Sequence, residues 1–363
     1  MQKLLFISNV TDKINAFSKA AIVAAQREGL DFHSAANWNA SSPDQIRADE
    51  ANYNIKIHNV GINRFPFSFS NKKALEQVKT VIRKEHIDFI HCNTPVGGVI
   101  GRLLNKHVKK VIYEAHGFHF YKGAPFKNWL LYYPVEKILA RMTDAIITIN
   151  KEDYEFARRH LNSKIYYVPG VGIELEQWNE YKDIRPELGL EANDFVVLVV
   201  GRLEKNKNCG TVIEAVKKVP EVKLVFCGDG EDREILEEQA KGLGNRVIFL
   251  GNRSDMSDIY HMADCFILAS YREGLSRSIM EAMACELPCV VSDIRGNRDL
   301  IDKEFLFKPV DVDALADRIR MVSKSQKLRD IMKARNFEKI KEFSFEKVVD
   351  ELSKIYIEVY ELE

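Results

Sequence analysis

The stretch CFILASYREGLSRSIMEAMA, residues 265–284, decides the fold. Its first four residues form a short apolar run that reads as a strand. A polar loop with Glu273 and Gly274 follows, and residues 276–284 then take up a helix-compatible pattern that Ser276 or Ser278 can cap. The same alternation recurs outward from this point. A strand is predicted at 289–292, and others at 195–200, 223–227 and 247–250, with helices at 210–218, 232–243 and 254–262 between them. The first half repeats the pattern, with strands at 3–8, 31–35, 89–91, 111–115, 145–149 and 165–168 and helices that include 72–85 and 128–141. Such alternation predicts α/β units on parallel sheets. The length of 363 residues is long for one core and suits two domains. Each half therefore reads as a doubly wound, Rossmann-like domain. The join is predicted near Pro169, Gly170, Val171 and Gly172, where glycine relieves backbone restriction and proline keeps its predecessor extended.

In open α/β sheets, ligands bind at the carboxyl ends of strands, so the loops after strands hold the candidates. In the opening stretch, the first-turn N–H groups of the helix at 276–284 have no internal partners and suit a phosphate. Gly274 allows close backbone approach, and the carboxylates of Glu273 and Glu281 can both face a polyol such as a ribose or hexose. Glu281 sits among the apolar Ile279, Met280 and Met283, which argues against a merely solvated helix position. After the strand at 195–200 comes Gly201-Arg202-Leu203-Glu204-Lys205-Asn206-Lys207. Here the fork of Arg202 and the compact charge of Lys207 can converge on a diphosphate, with Lys205 as the rival lysine. Gly228-Asp229-Gly230 follows the strand at 223–227, and Leu250 ends another strand. In the first half, His116 and His119 follow the strand at 111–115.

The run Glu-Gly-Leu-x4-Met-Glu-Ala-Met-Ala, with Glu273 and Glu281 as its paired glutamates, resembles the family 4 glycosyltransferases of the GT-B fold. The resemblance covers nearly the whole chain and is sharpest over residues 197–301. It implies two Rossmann-like domains facing across a cleft, residues 1–169 binding the acceptor and 170–344 the nucleotide sugar, with a C-terminal helix in 345–363 crossing back to the first domain. It implies that Glu281 holds the nucleotide ribose and that Glu273 lies near the donor sugar hydroxyls. Backbone groups of Gly274, Leu275, Ser276 and Ser278 would touch the donor. Gly201, Arg202 and Lys207 match the family's Gly-Arg-Leu and Glu-Lys-Gly elements, whose cations neutralise the donor diphosphate; Asn208 stands where the pattern usually has glycine. Gly228 and Gly230 match a glycine turn beside the nucleotide, and Leu250 a place where backbone meets the base. His116, rather than His119, matches the histidine beside the transferred sugar. The stretch His91-Cys92-Asn93-Thr94-Pro95 resembles a His-x-His-Thr-Pro pattern with Asn93 replacing the second histidine. The loop Ser8–Asp12 lacks the Gly-Gly pair of many relatives; Phe17 is either core or acceptor-facing.

The implied activity is metal-independent, retaining transfer from a nucleotide-diphosphate sugar, a UDP-sugar by family frequency, with no cofactor. Catalysis would rest on His116, Arg202, Lys207 and Glu273, and domain closure would exclude water. The similarity to the branch building bacterial capsules and exopolysaccharides implies a glycan or undecaprenyl-diphosphate-linked acceptor, and a cytoplasmic enzyme with peripheral contact at the inner membrane face. Charge agrees: residues 1–170 hold 24 Lys and Arg against 15 Asp and Glu, within an overall formal charge of zero. This basic half either faces an anionic partner or is ordinary solvated surface. The aromatic stretch 118–139, with Lys122 and Lys127 inside it, suits either a membrane interface or core packing. Nothing points to nucleic acid. No run reaches the roughly 20 apolar residues of a membrane span, and the N-terminus does not read as a signal peptide. The six cysteines lack CxxC spacing and read as reduced, buried thiols. Asp311-Val312-Asp313 reads as a helix cap rather than a metal motif. A UDP-sugar 2-epimerase and a non-catalytic sugar-nucleotide-binding protein are the alternatives; no GxGxxG follows the first strand, which speaks against a dinucleotide dehydrogenase.

Overall fold

The computed structural model describes every residue except Phe67 and Glu363. The chain forms two compact units, Met1–Gly172 with Phe345–Glu363, and Ile173–Ser344. Of the expected C-terminal segment 345–363, Glu363 lies outside the described residues.

The first unit carries β1 (Lys3–Val10), β2 (Asp31–Asn37), β3 (Lys56–Asn59), β4 (Phe89–Asn93), β5 (Lys110–Ala115), β6 (Ala145–Thr148) and β7 (Lys164–Tyr167). Among the described residues they form one sheet in the order β3-β2-β1-β4-β5-β6-β7, with every pairing parallel. The helices between them are α1 (Ala16–Arg27), α2 (Pro43–Tyr53), α3 (Ser70–Glu85), α4 (Pro95–Leu103), α5 (Phe126–Ala140) and α6 (Lys151–His160). Successive strand residues point to opposite faces. In β1, Leu4 and Phe6 accordingly enter one hydrophobic cluster and Leu5 and Ile7 the other. Both faces are covered, which explains why these strands read as continuous apolar runs.

The second unit carries β8 (Phe195–Val200), β9 (Val222–Cys227), β10 (Val247–Phe249), β11 (Cys265–Leu268), β12 (Cys289–Ser292) and β13 (Leu306–Phe307). The described strands pair in parallel in the order β10-β9-β8-β11-β12-β13. Its helices are α7 (Cys209–Lys217), α8 (Arg233–Ala240), α9 (Met256–His261), α10 (Arg277–Ala284), α11 (Asn297–Leu300), α12 (Val312–Lys324) and α13 (Gln326–Ile340). Asp311 caps α12, its side chain accepting the Ala314 N–H. All six cysteines are free and buried.

The chain ends in α14 (Phe345–Tyr360), which belongs to the first unit. Its Val348, Val349, Leu352, Ile355 and Val359 share a cluster with Ala20, Ala21, Ala24 and Ala25 of α1; small alanine side chains let the two helices approach. Gly172 sits at φ +77°, and a Cβ there would lie 2.6 Å from Phe345 Cα. Only glycine fits at this point against the first residue of α14.

The strand order reverses between β1 and β4 in one sheet and between β8 and β11 in the other. Those are the topological switch points where this architecture binds ligands. Part of the aromatic stretch packs as core. Phe118 and Phe120 are buried, and Trp129, Tyr133 and Phe156 pack around Phe120. Phe126, Leu130, Leu131 and Ile138, by contrast, are exposed on α5. Among the described residues, no helix is long and apolar enough to cross a membrane.

Candidate active site

In the second unit, both sequence-predicted constellations follow the strands that flank the β8/β11 switch point. The loop 201–208 leaves β8, and the loop 269–276 leaves β11. Side chains and backbone stitch the two together. Tyr271 N–H donates to Asn206 O (2.9 Å), and Asn206 Nδ2 donates to Arg272 O (3.0 Å). Asn208 Nδ2 donates to Ala269 O (3.2 Å) and Pro309 O (2.7 Å). Asn208 itself lies in the left-handed region, at φ 54°, where asparagine is tolerated almost as glycine is. Its departure from the glycine pattern therefore keeps the backbone shape and adds two bonds across the loops.

These stitches bring Lys207 against Glu273, with Nζ 2.7 Å from Oε1 and both side chains largely buried. Arg202 is different. It is 65% exposed, and its guanidinium stands 3.6 Å from both Glu204 and Glu231, a loose, solvent-screened arrangement. Glu281 is held from two sides: Tyr260 Oη donates to Oε2 (2.8 Å) and Arg277 Nε to Oε1 (2.8 Å). Burial, and then the Glu281 carboxylate, raise the Tyr260 phenol well above its ordinary range, so the phenol stays a donor. Arg277 and Glu281 stand i,i+4 on one face of α10. Tyr260 comes from α9 and carried no sequence signal.

Ser276 occupies the N-cap position of α10 but makes no side-chain cap bond. Its hydroxyl lies 3.1 Å from that of Ser278 instead. The cap expected of Ser276 or Ser278 is thus replaced by a hydroxyl pair. Gly274 and Leu275 are half-buried beside this helix start. Gly201 and Gly228 are packed backbone to backbone: a Cβ on Gly228 would lie 2.0 Å from Gly201 O, and one on Gly230 2.2 Å from Leu203 O. These glycines weld the loops after β8 and β9 together. The Leu250 amide donates to Phe226 O (2.9 Å).

In the first unit, His116 ends a buried polar chain. Its Nε2 is 3.8 Å from Glu114 Oε2, an electrostatic contact rather than a hydrogen bond. The same oxygen is 3.4 Å from His91 Nε2, and His91 Nδ1 lies 2.7 Å from the Tyr356 hydroxyl of α14. Phe17 stacks on the His116 ring, centroids 3.6 Å apart, so this side chain serves the histidine rather than a remote core. His119 stacks on Tyr132 of α5 instead. Burial opposes ionisation of Glu114, yet the two imidazoles beside it hold the carboxyl down to about 2. At the unit's switch point, Thr94 adopts φ 63°, a strained state for a β-branched residue. Asn9 Oδ1 accepts from both Thr94 Oγ1 (2.8 Å) and the Gly97 N–H (2.7 Å). Sequence reasoning did not single out Glu114 or Tyr356.

A group held below its unfolded value stabilises the fold above that value and loses the contribution as pH falls through the folded one. Glu114→Gln is therefore expected to cost about 3 kcal/mol above pH 5, the free-energy equivalent of holding the carboxyl at about 2 instead of its ordinary value. The gap to wild type should close between about pH 4.5 and pH 2. Urea midpoints measured across that window check this; a constant gap would remove the carboxylate's charge from the account.

The family model described as "Glycosyl transferases group 1" matches residues 180–339, and that described as "Glycosyl transferase 4-like" matches residues 3–150. EpsD of Bacillus subtilis (strain 168) is 35% identical over 375 residues, covering 98% of this chain and 96% of EpsD. The UDP-Gal:alpha-D-GlcNAc-diphosphoundecaprenol alpha-1,3-galactosyltransferase of Escherichia coli is 30% identical over 308 residues, 79% of each chain. Among solved structures, sucrose-phosphate synthase from Thermosynechococcus elongatus matches with a TM-score of 0.83 at 19% identity, over 100% of both chains. Anabaena HepE in complex with UDP matches at 0.80 and 20% identity, over 99% of this chain and 100% of HepE. At such identity these two likenesses speak to the fold alone. With both halves matched by glycosyltransferase models and two relatives similar over most of their length, the chain belongs to the family 4 glycosyltransferases, with the two parallel α/β units of the GT-B fold.

Proposed function

We propose that this glycosyltransferase moves a sugar, with retention of configuration and without a metal, from a nucleotide-diphosphate sugar to a lipid-linked or glycan acceptor in bacterial surface polysaccharide synthesis. The observation that supports this reading best is the convergence of Lys207, Glu273 and the uncapped start of α10 at the β8/β11 switch point, with Glu281 one turn into the helix. Lys207 and Arg202 are assigned the diphosphate, since two cations and free helix N–H groups stabilise the negative charge that grows on the leaving group. Glu273 is assigned the donor sugar hydroxyls and Glu281 the ribose. His116 is assigned contact with the transferred sugar, and Glu114 acts through it as a positioning residue. A UDP-sugar donor and an undecaprenyl-diphosphate acceptor are favoured by the Escherichia coli relative, whose name specifies UDP-Gal and a diphosphoundecaprenol acceptor. The capsular polysaccharide biosynthesis glycosyltransferase CapM of Staphylococcus aureus, 23% identical over 320 residues, points to the same class of product.

A thermal-shift panel of UDP, GDP and ADP and their sugars tests the donor assignment. UDP-sugars are expected to raise the melting temperature most. Glu281→Ala removes the ribose acceptor and should weaken UDP about 10- to 100-fold. It also strips Tyr260 of its partner, so Glu281→Gln, which keeps an acceptor for the phenol, serves as the folded control and should also bind UDP more weakly than wild type. Unchanged UDP affinity in a folded variant would contradict the ribose role. Release of an epimerised sugar from a UDP-sugar without acceptor would replace transfer by epimerisation.

A further inference from the structure

Helix α5 is built inside out. Its exposed side chains include Phe126 (80% exposed), Leu130 (69%), Leu131, Val135 and Ile138 (61%), large apolar groups of the kind a surface helix normally turns inward. At about 100° per residue, Phe126, Leu130, Ile138, Leu131 and Val135 spread over about one half of the helix circumference. Lys127, Lys137 and Arg141 are exposed on the same half of the helix. Glu136, the single acidic residue between Phe126 and Ala140, faces the other way and pairs with the buried Arg102 (2.6 Å). The outward face is therefore apolar and cationic, with none of the helix's own carboxylates on it.

We propose that this face of α5 lies on an anionic bilayer surface, with the apolar stripe in the headgroup boundary and the three cations against lipid phosphates. Charge complementarity selects this occupant. A second copy of the chain, related by a two-fold axis, would set Lys127, Lys137 and Arg141 against their own counterparts, which like-charge repulsion disfavours. A bilayer carrying anionic headgroups takes all three cations and buries the stripe, as interfacial helices of this composition do. The helix is also fastened to the loop that carries His116. Asn128 Nδ2 donates to His119 O (3.0 Å), and His119 stacks on Tyr132 with centroids 4.6 Å apart. A membrane-seated α5 therefore keeps the His116 loop at the bilayer surface, where a lipid-linked acceptor has its diphosphate. This last step rests on the proposed function; the seating itself does not.

Flotation of the whole chain with vesicles, in the absence of nucleotide and acceptor, tests the seating separately from the enzymology. Three cations near an anionic surface, each worth about five-fold, predict roughly 100-fold stronger binding to phosphatidylglycerol-containing vesicles than to pure phosphatidylcholine at low salt. Leu130→Glu with Ile138→Glu should abolish flotation, and Lys127→Glu with Arg141→Glu should erase the preference for anionic lipid. An unaltered thermal shift with UDP would show both variants folded with the second unit competent. Wild type that stays at the bottom of the gradient, or floats equally with both lipids, overturns the inference. So does a wild-type dimer in sedimentation equilibrium that Leu130→Glu with Ile138→Glu dissociates, because the occupant would then be a second copy.

Discussion

Lys207→Ala is expected to lower kcat about 100- to 1000-fold, the scale of removing one preorganised charge from a transition state, while UDP binding weakens far less. The reason lies in where Lys207 is held. Asn206 and Asn208, on either side of it, are tied to the loop after β11, and its own ammonium sits 2.7 Å from Glu273. Its stem runs close to Gly201, whose added Cβ would meet Lys207 Cε at 3.5 Å. The charge is thus placed in advance, in a partly desolvated spot, and on the proposed donor assignment it costs no reorganisation when the sugar–phosphate bond breaks. The bound nucleoside gains little from it, because charge on the diphosphate grows as the sugar departs; the loss should fall on kcat rather than on KM. Arg202→Ala is the internal comparison. Its guanidinium is 65% exposed between two glutamates, so its truncation should cost about ten-fold, less than that of Lys207. Single-turnover rates with a saturating UDP-sugar, set beside UDP affinities from thermal shift, separate the two effects. A folded Lys207→Ala protein with undiminished turnover would take Lys207 out of the chemistry.

What could be read in the chain, and what could not, follows from how far apart the cooperating groups lie. The strands at 195–200 and 265–268 declare themselves because both faces of a parallel sheet are covered, leaving no polar alternation. The edge strand β3 has the sequence KIHN and exposed ends, and β13 is two residues long; neither offers a run to recognise. Helix α4, with the sequence PVGGVIGRL, looks like a glycine-rich loop. It is a helix because tertiary packing demands its glycines: a Cβ on Gly98 would meet the Tyr113 ring at 2.4 Å, and one on Gly101 the Cys92 side chain at 2.6 Å. The donor-side candidates were legible because Arg202 and Lys207 share one loop and Glu273 and Glu281 are joined by one loop and helix start. The pairing of Lys207 with Glu273 was not, since it depends on which strands become neighbours. The polar chain from Tyr356 through His91 and Glu114 to His116 joins β4 and β5 to the distant α14, and no local pattern announces it.

Arg102→Met should destabilise the first unit by about 3–5 kcal/mol, because it strands a carboxylate without its counter-charge. The Arg102 side chain is fully buried, with Nη1 2.6 Å and Nη2 3.2 Å from the two oxygens of Glu136, Nε bonded to Gly98 O (2.9 Å), and the guanidinium stacked 3.8 Å from the Tyr113 ring centroid. Burial works against the guanidinium charge, but Glu136 more than offsets it and holds Arg102 more firmly protonated than usual. This bidentate fork joins α4 to α5. Much of α5 cannot be held by burial, since its large apolar residues point outward, so Leu139, Ala140 and the inner aromatics share the task with the ion pair. The double variant Arg102→Met with Glu136→Leu removes both charges and is expected to return to within about 1–2 kcal/mol of wild type, because a matched apolar pair replaces a buried ion pair at little net cost. For a unit of this size the single variant should lower the melting temperature by about 6–20 °C, and differential scanning calorimetry resolves that readily. If the double variant melts no higher than the single one, the destabilisation comes from lost packing of the arginine stem on Tyr113 and not from the orphaned charge of Glu136, and the electrostatic explanation of how α5 is anchored fails.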